Sequence, residues 1–340
     1  MNIDSLLEKG RLPDFLIRAG IRRLLRQRLR EEAKNYARPG YEEKLFGAFG
    51  KSPLAVNTAE ANEQHYEVPT EFYKYCLGTH LKYSGCFWKP GVHRLDEAER
   101  DMLGMVCERA QLDNGQDVLE LGCGWGSLSL FMSAKFPGSR FTVVSNSRTQ
   151  KEYIDAQAVS RGIKNLEVIT SDINVFDTEK KFDRAVSVEM FEHMRNHGLL
   201  LERIAGWLKE DGKLFVHIFV HKTYTYLFEA KDESDWMSRY FFTGGMMPGD
   251  RYLYAWNKHL QVKSHWPVNG VHYAKTAEAW LQNMDAHKKE IIPLFENTYG
   301  KSQARKWWNY WRVFYMACAE LWGYKKGEEW FVSHYLLEKK

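Results

Sequence analysis

The sequence is short of several things, and each shortage removes a class of function. Its five cysteines, Cys76, Cys86, Cys107, Cys123 and Cys318, include no Cys-x-x-Cys pair and no His-Cys cluster at zinc-ligand spacing. An odd count without a framework points to a reducing, cytoplasmic compartment, and no metal is expected. No apolar run is long enough to span a bilayer, and the N-terminus lacks an apolar signal core, so no stable membrane insertion is expected. Charge of one sign is scarce too. A formal net charge of +4 and a pI of about 8.6 are too mild to imply a nucleic-acid partner, and no basic stretch is interleaved with base-stacking aromatics. Internal repeats and low-complexity tracts are missing as well.

What is abundant is aromatic. The chain has 340 residues, of which 14% are Phe, Trp or Tyr. That suits a pocket lined by rings, although most of these rings must serve as core. Residues 1–50 read as basic helices, with Leu16, Ile17, Ile21, Leu24, Leu25 and Leu29 at helical spacing. Packing on the main domain is one reading of that segment, and a membrane-surface helix is the other. A further helix is expected over 94–112.

From Asp117 the pattern becomes strand and helix in alternation. Strands are expected at 118–121, 141–144, 166–169, 185–188 and 214–218. Helices are expected at 127–136, 150–161 and 199–208, the last closed by Gly212. Such alternation predicts an α/β fold with a mostly parallel, doubly wound sheet. Residues 222–284 break the rhythm and read as an inserted cap. A bulky helix at 307–322 and a closing strand at 330–337 follow.

The first strand ends in Glu120-Leu121 and runs into Gly122-Cys123-Gly124-Trp125-Gly126, then a helix. Glycines there let backbone pass close to a ligand at the carboxyl end of a strand. The spacing is not the dinucleotide Gly-x-Gly-x-x-Gly, and no phosphate-loop lysine follows. After the second strand, where a ribose-binding carboxylate usually sits, the chain has Ser145-Asn146-Ser147 with Gln150. After the third come Asp172 and Ile173, which suit an adenine ring, while the aspartate suits a helix N-cap equally well. The fourth ends in Glu189-Met190-Phe191-Glu192-His193. Three ionisable groups in five residues beside an apolar strand suit proton chemistry; a solvated helix start is the plainer reading. His217, inside the fifth strand, reads as a core histidine, and Tyr273 as a loop tyrosine.

With these residues in view, the chain resembles the cyclopropane fatty acid synthase-like superfamily of methyltransferases. The resemblance rests on the stretches 64–69, Leu81-Lys82-Tyr83-Ser84, 121–126 and 190–193. It implies a Rossmann-like, seven-stranded class I methyltransferase sheet that binds S-adenosyl-L-methionine. Tyr66, Tyr83 and Ser84 would close over the cofactor. Glu120, Gly122, Gly124, Ser145, Ser147, Gln150, Asp172 and Ile173 would hold it. Within the superfamily the chain is more similar to plant coclaurine-type N-methyltransferases, through stretches 239–245, 265–270 and 327–330 and through Glu189, where the lipid enzymes usually carry glycine. The residues matching the lipid enzymes' bicarbonate pocket, Cys123, Glu192, His217 and Tyr273, are all retained.

The resemblance therefore implies an N-methyltransferase acting on a small aromatic amine, with an unsaturated acyl chain as the alternative acceptor. Glu192 and His193 are expected to take the amine's proton, and Glu189 to hold the cation. Tyr240, Phe241, Phe242, His217, Tyr273 and Trp330 are expected around the substrate. The expected organisation is an N-terminal region and lid at 1–112, a cofactor-binding core at 113–221 and 285–340, and the cap at 222–284. A homodimer is left open.

Overall fold

The computed structural model describes residues 3–56, 68–229 and 236–340. Three N-terminal helices come first: α1 (Ile3–Glu8), α2 (Asp14–Tyr36) and α3 (Tyr41–Phe49). Helices α4 (Thr70–Cys76) and α5 (Leu95–Arg109) lead into the sheet. Then strands β1 (Asp117–Leu121), β2 (Arg140–Ser145), β3 (Leu166–Thr170), β4 (Phe182–Val188) and β5 (Leu208–His221) alternate with α6 (Ser127–Lys135), α7 (Arg148–Ser160) and α8 (His197–Trp207). These strands read as apolar runs because a parallel sheet is buried on both faces; Val118, Leu119, Val143, Ala185 and Val186 are all buried.

A short ribbon of β6 (Tyr226–Leu227) and β7 (Met246–Met247) follows, with α9 (Trp236–Tyr240) between. The chain then returns through β8 (Leu260–Val268), α10 (Val271–Ala286), α11 (Lys288–Tyr299), α12 (Lys301–Gly323) and β9 (Trp330–Lys339). The main sheet is seven-stranded in the order β3-β2-β1-β4-β5-β9-β8. β1 to β5 are parallel, and β9 runs antiparallel to both β5 and β8. Strand order reverses between β1 and β4, and ligands in such sheets bind at that crevice, outside the carboxyl ends.

Two expectations change. The helix before β5 ends at Trp207, one residue short of the expected Leu208, and Gly212, expected to close it, lies within β5. Leu208 pairs with Phe182, and the register then slips before Arg184 pairs with Lys213, so an irregular strand start occupies the span that read as the turn after the helix. The span 222–284 is likewise not all cap, because β8 belongs to the main sheet. Pro267 and the charged Lys263 within β8 obscured it, and an edge strand tolerates both.

The Arg-rich α2 lies on the main domain. Ile17, Ile21, Leu25 and Leu29 pack on the core. Arg18 pairs with Glu278 and Glu320, and Arg312 of α12 pairs with Asp14. Among the described residues no helix is long and apolar enough to cross a membrane.

Candidate functional site

A cavity of about 300 Å³ opens at the strand-order reversal. The glycine turn forms its floor. Gly122 has φ 79° and Gly124 φ 51°, a region that disfavours side chains. A Cβ on Gly122 would also fall 2.7 Å from Met190, so the turn after β1 can meet the turn after β4 only through glycine. The amides of Gly122 and Cys123 both donate to the Val144 carbonyl, which ties the turn to β2.

Around this floor lie most of the residues expected to hold the cofactor. Glu120 is buried at the cavity wall and accepts a 2.5 Å bond from Ser129 Oγ. Burial pushes its carboxyl up to about 7, and the Ser129 bond opposes the shift. Ser145 Oγ donates to Gln150 Oε1 at 2.6 Å, and both residues line the cavity. Asp172 and Ile173 line it too. Asp172 accepts from the Asn174 amide in a turn that starts no helix, so it is not an N-cap. Tyr83 and Ser84 close the cavity from the N-terminal side.

Ser147 stands apart. Its hydroxyl accepts from the Gln150 amide and caps α7, outside the cavity lining. Tyr66 lies outside the described residues. The pocket also presents unfilled polar positions: Gln150 Nε2 and Ser127 Oγ are buried without a partner and belong to residues that line it. Such atoms call for a polar ligand, and together with Glu120 they fit a ribose-bearing, amino-acid-tailed cofactor.

The second half of the cavity is built by the end of β4. Glu189 has φ 48°, strained for a side chain of this size. Three donors hold its carboxylate: Gly85 N at 3.0 Å and His217 Nε2 at 3.2 Å on Oε1, and Tyr273 OH at 2.8 Å on Oε2. Burial raises its pKa, while Lys82 and the Gly85 and Tyr273 bonds pull it down. His193 lines the cavity with its ring 4.6 Å from that of Phe242. Glu192 does not reach the lining; it is fully buried, with Oε1 accepting from the Phe219 amide at 2.8 Å and Oε2 without a partner. Burial and the charge of Glu189 drive its pKa well upward.

The expected substrate shell divides. Phe242 and Tyr273 line the cavity. His217 sits behind Glu189 and contacts it from the sheet. Tyr240, Phe241 and Trp330 do not line it. Tyr240 packs on Tyr310, and Phe241 stacks on Phe314. Trp330 is buried with Nε1 donating to Tyr226 OH at 2.9 Å. Phe241 and Trp330 sit in the core and Tyr240 packs half-buried against it, because β9 and α9 turn these rings away from the crevice.

Two features escaped the sequence reading. Lys82 is 2% exposed and donates to Ser84 Oγ and the Gly85 carbonyl at 2.5 and 2.7 Å. A lone lysine between Leu81 and Tyr83 was its visible signal. Trp322 and Trp280 join Phe242 and Tyr273 as ring walls, with Tyr273 stacked on Trp322 at 4.7 Å.

The mycolic acid cyclopropane synthetase family matches residues 55–326. The chain belongs to that family. It is a methyltransferase of the S-adenosyl-L-methionine-dependent class, with that class's sheet. Among its relatives, the (S)-coclaurine N-methyltransferase of Thalictrum flavum subsp. glaucum is 40% identical across 98% of this chain and 94% of that protein. A crystal structure of coclaurine N-methyltransferase bound to N-methylheliamine and SAH superposes with a TM-score of 0.94 at 38% identity, covering 99% of each chain. A cyclopropane synthase from Mycobacterium tuberculosis has a TM-score of 0.69 at 20% identity over 85% of this chain and 100% of that one, a likeness of fold alone.

Proposed function

We propose that the protein moves a methyl group from S-adenosyl-L-methionine to the nitrogen of a small aromatic amine, in the cytoplasm. The observation that carries this reading is the Glu189 carboxylate, held by three donors inside a cavity whose other walls are Phe242, Tyr273, Trp280 and Trp322. An acid in an aromatic box suits a cationic amine, through charge and through the ring faces. It offers nothing to an alkene. The N-methyltransferase relatives, similar over nearly the whole chain, support the same acceptor.

Bound in the polar half, the cofactor supplies an electrophilic methyl group. The chain's own residues do the rest. Near neutral pH an alkylamine is mostly protonated and has no lone pair to attack with, so a proton must leave first. Glu189 holds the ammonium at the cavity wall. His193 faces the same space, and Glu192 lies one residue behind it with Oε2 open. His193 takes the amine's proton at the cavity wall; Glu192, buried behind it and driven toward its neutral form by burial and by the charge of Glu189, supports this step without touching the amine. The aromatic walls exclude water and fix the nitrogen in line.

The test substitutes Glu192→Gln and His193→Ala separately and measures methyl transfer at saturating cofactor. Each should lower kcat by about a hundredfold, the usual contribution of a positioned base. Full activity in both variants would contradict the assignment.

A further inference from the structure

Glu189 is the inner end of a hydrogen-bond chain that runs out through the sheet. His217 on β5 stands directly opposite His334 on β9, and His334 is opposite Trp266 on β8. His217 Nδ1 and His334 Nε2 are 2.9 Å apart. His334 Nδ1 lies 2.8 Å from a guanidinium nitrogen of Arg109, at the end of α5. Arg109 is itself held with its guanidinium 5.2 Å from the centre of the Trp266 ring.

The chemistry of one end fixes every proton in the row. Arginine has donors and no acceptor, so Arg109 donates to Nδ1 of His334. That nitrogen is then bare, and the ring's hydrogen sits on Nε2. It donates to Nδ1 of His217, which places the second ring's hydrogen on Nε2 as well. That last N–H points at Glu189 Oε1, 3.2 Å away. Both rings are neutral: burial holds each well below the usual histidine range, and the charges of Lys82 and Arg109 act the same way. With the opposite tautomer, His217 would turn a lone pair on the carboxylate.

We propose that Arg109 and His334 are positioning residues, which fix His217 as a donor and thereby hold Glu189 as the acceptor that faces the substrate. None of the three side chains, Arg109, His334 or His217, lines the cavity, so they act through Glu189. The catalytic consequence rests on the amine reading above, whereas the proton pattern does not.

Nitrogen-15 NMR of the histidine-labelled full chain reads the tautomers directly, with signals assigned by their loss in His217→Phe and His334→Phe. The wild type should show both rings neutral with hydrogen on Nε2. Arg109→Met should give mixed tautomers at both rings and lower kcat roughly tenfold, the scale seen when an outer partner that orients a histidine is removed. The cofactor KM should stay unchanged. Arg109→Lys, also a pure donor, should restore the tautomers and most of kcat. Hydrogen on Nδ1 of either ring in the wild type would overturn the proposal, whether or not the methionine variant folds. So would an Arg109→Met protein with unaltered tautomers and kcat. Failure of the amine reading would show instead as no transfer to any amine with the tautomer pattern intact.

Discussion

Glu120 shows how a single buried acid can be read in two states. In the ligand-free fold, burial holds its proton up to about pH 7, against 4.5 for an ordinary glutamate. Between those values the folded chain binds a proton that the unfolded chain has lost. The stability from Glu120 is therefore full below pH 4.5 and declines as pH rises to about 7. Glu120→Gln removes the titration and keeps the shape. Relative to wild type, the variant should gain about 3 kcal/mol of stability as pH is raised across that window. Chemical denaturation of both proteins at several pH values checks this, and a flat difference would contradict it. Glu120, Asp172 and Ile173 could be expected at the site because each lies within three residues of the carboxyl end of a strand. Lys82 had only a weak local signal, its place between Leu81 and Tyr83, because a lysine between two apolar residues is more often solvated than buried.

At the scale of elements, β1 to β4 were legible, each as an apolar run bounded by a turn and a helix. β8 was not, because an edge strand alternates polar and apolar residues and carries a proline. The aromatic stretches misled in a different way. Trp330 and Phe241 sit in segments that look like substrate walls, yet the antiparallel pairing of β9 and the packing of α9 on α12 send both rings into the core. Trp330 should therefore act on stability rather than on substrate affinity. Trp330→Ala should cost about 3–5 kcal/mol in denaturant unfolding, the range for deleting a buried large ring. A variant of unchanged stability with a raised amine KM would return Trp330 to the substrate shell.

For the whole molecule, the crevice where strand order reverses joins two chemistries. One half is polar and glycine-floored, with unpartnered buried donors and acceptors at Gln150 and Ser127. The other is ring-walled around one carboxylate. Helix α2, tied to α12 through Arg18, Arg22 and Arg312, supports the substrate side from outside. The sheet alone could serve either a lipid-modifying enzyme or an amine methyltransferase, since both share it; our proposal rests on the acid at Glu189 to separate them. The most direct test incubates the purified full chain with methyl-labelled S-adenosyl-L-methionine and, in parallel, a panel of tetrahydroisoquinoline and phenylalkylamine acceptors or unsaturated phospholipid vesicles. Label should appear as an N-methyl group on at least one aromatic amine, abolished in Glu189→Gln, and not in the lipid. Label in the acyl chains with none on any amine would contradict the account.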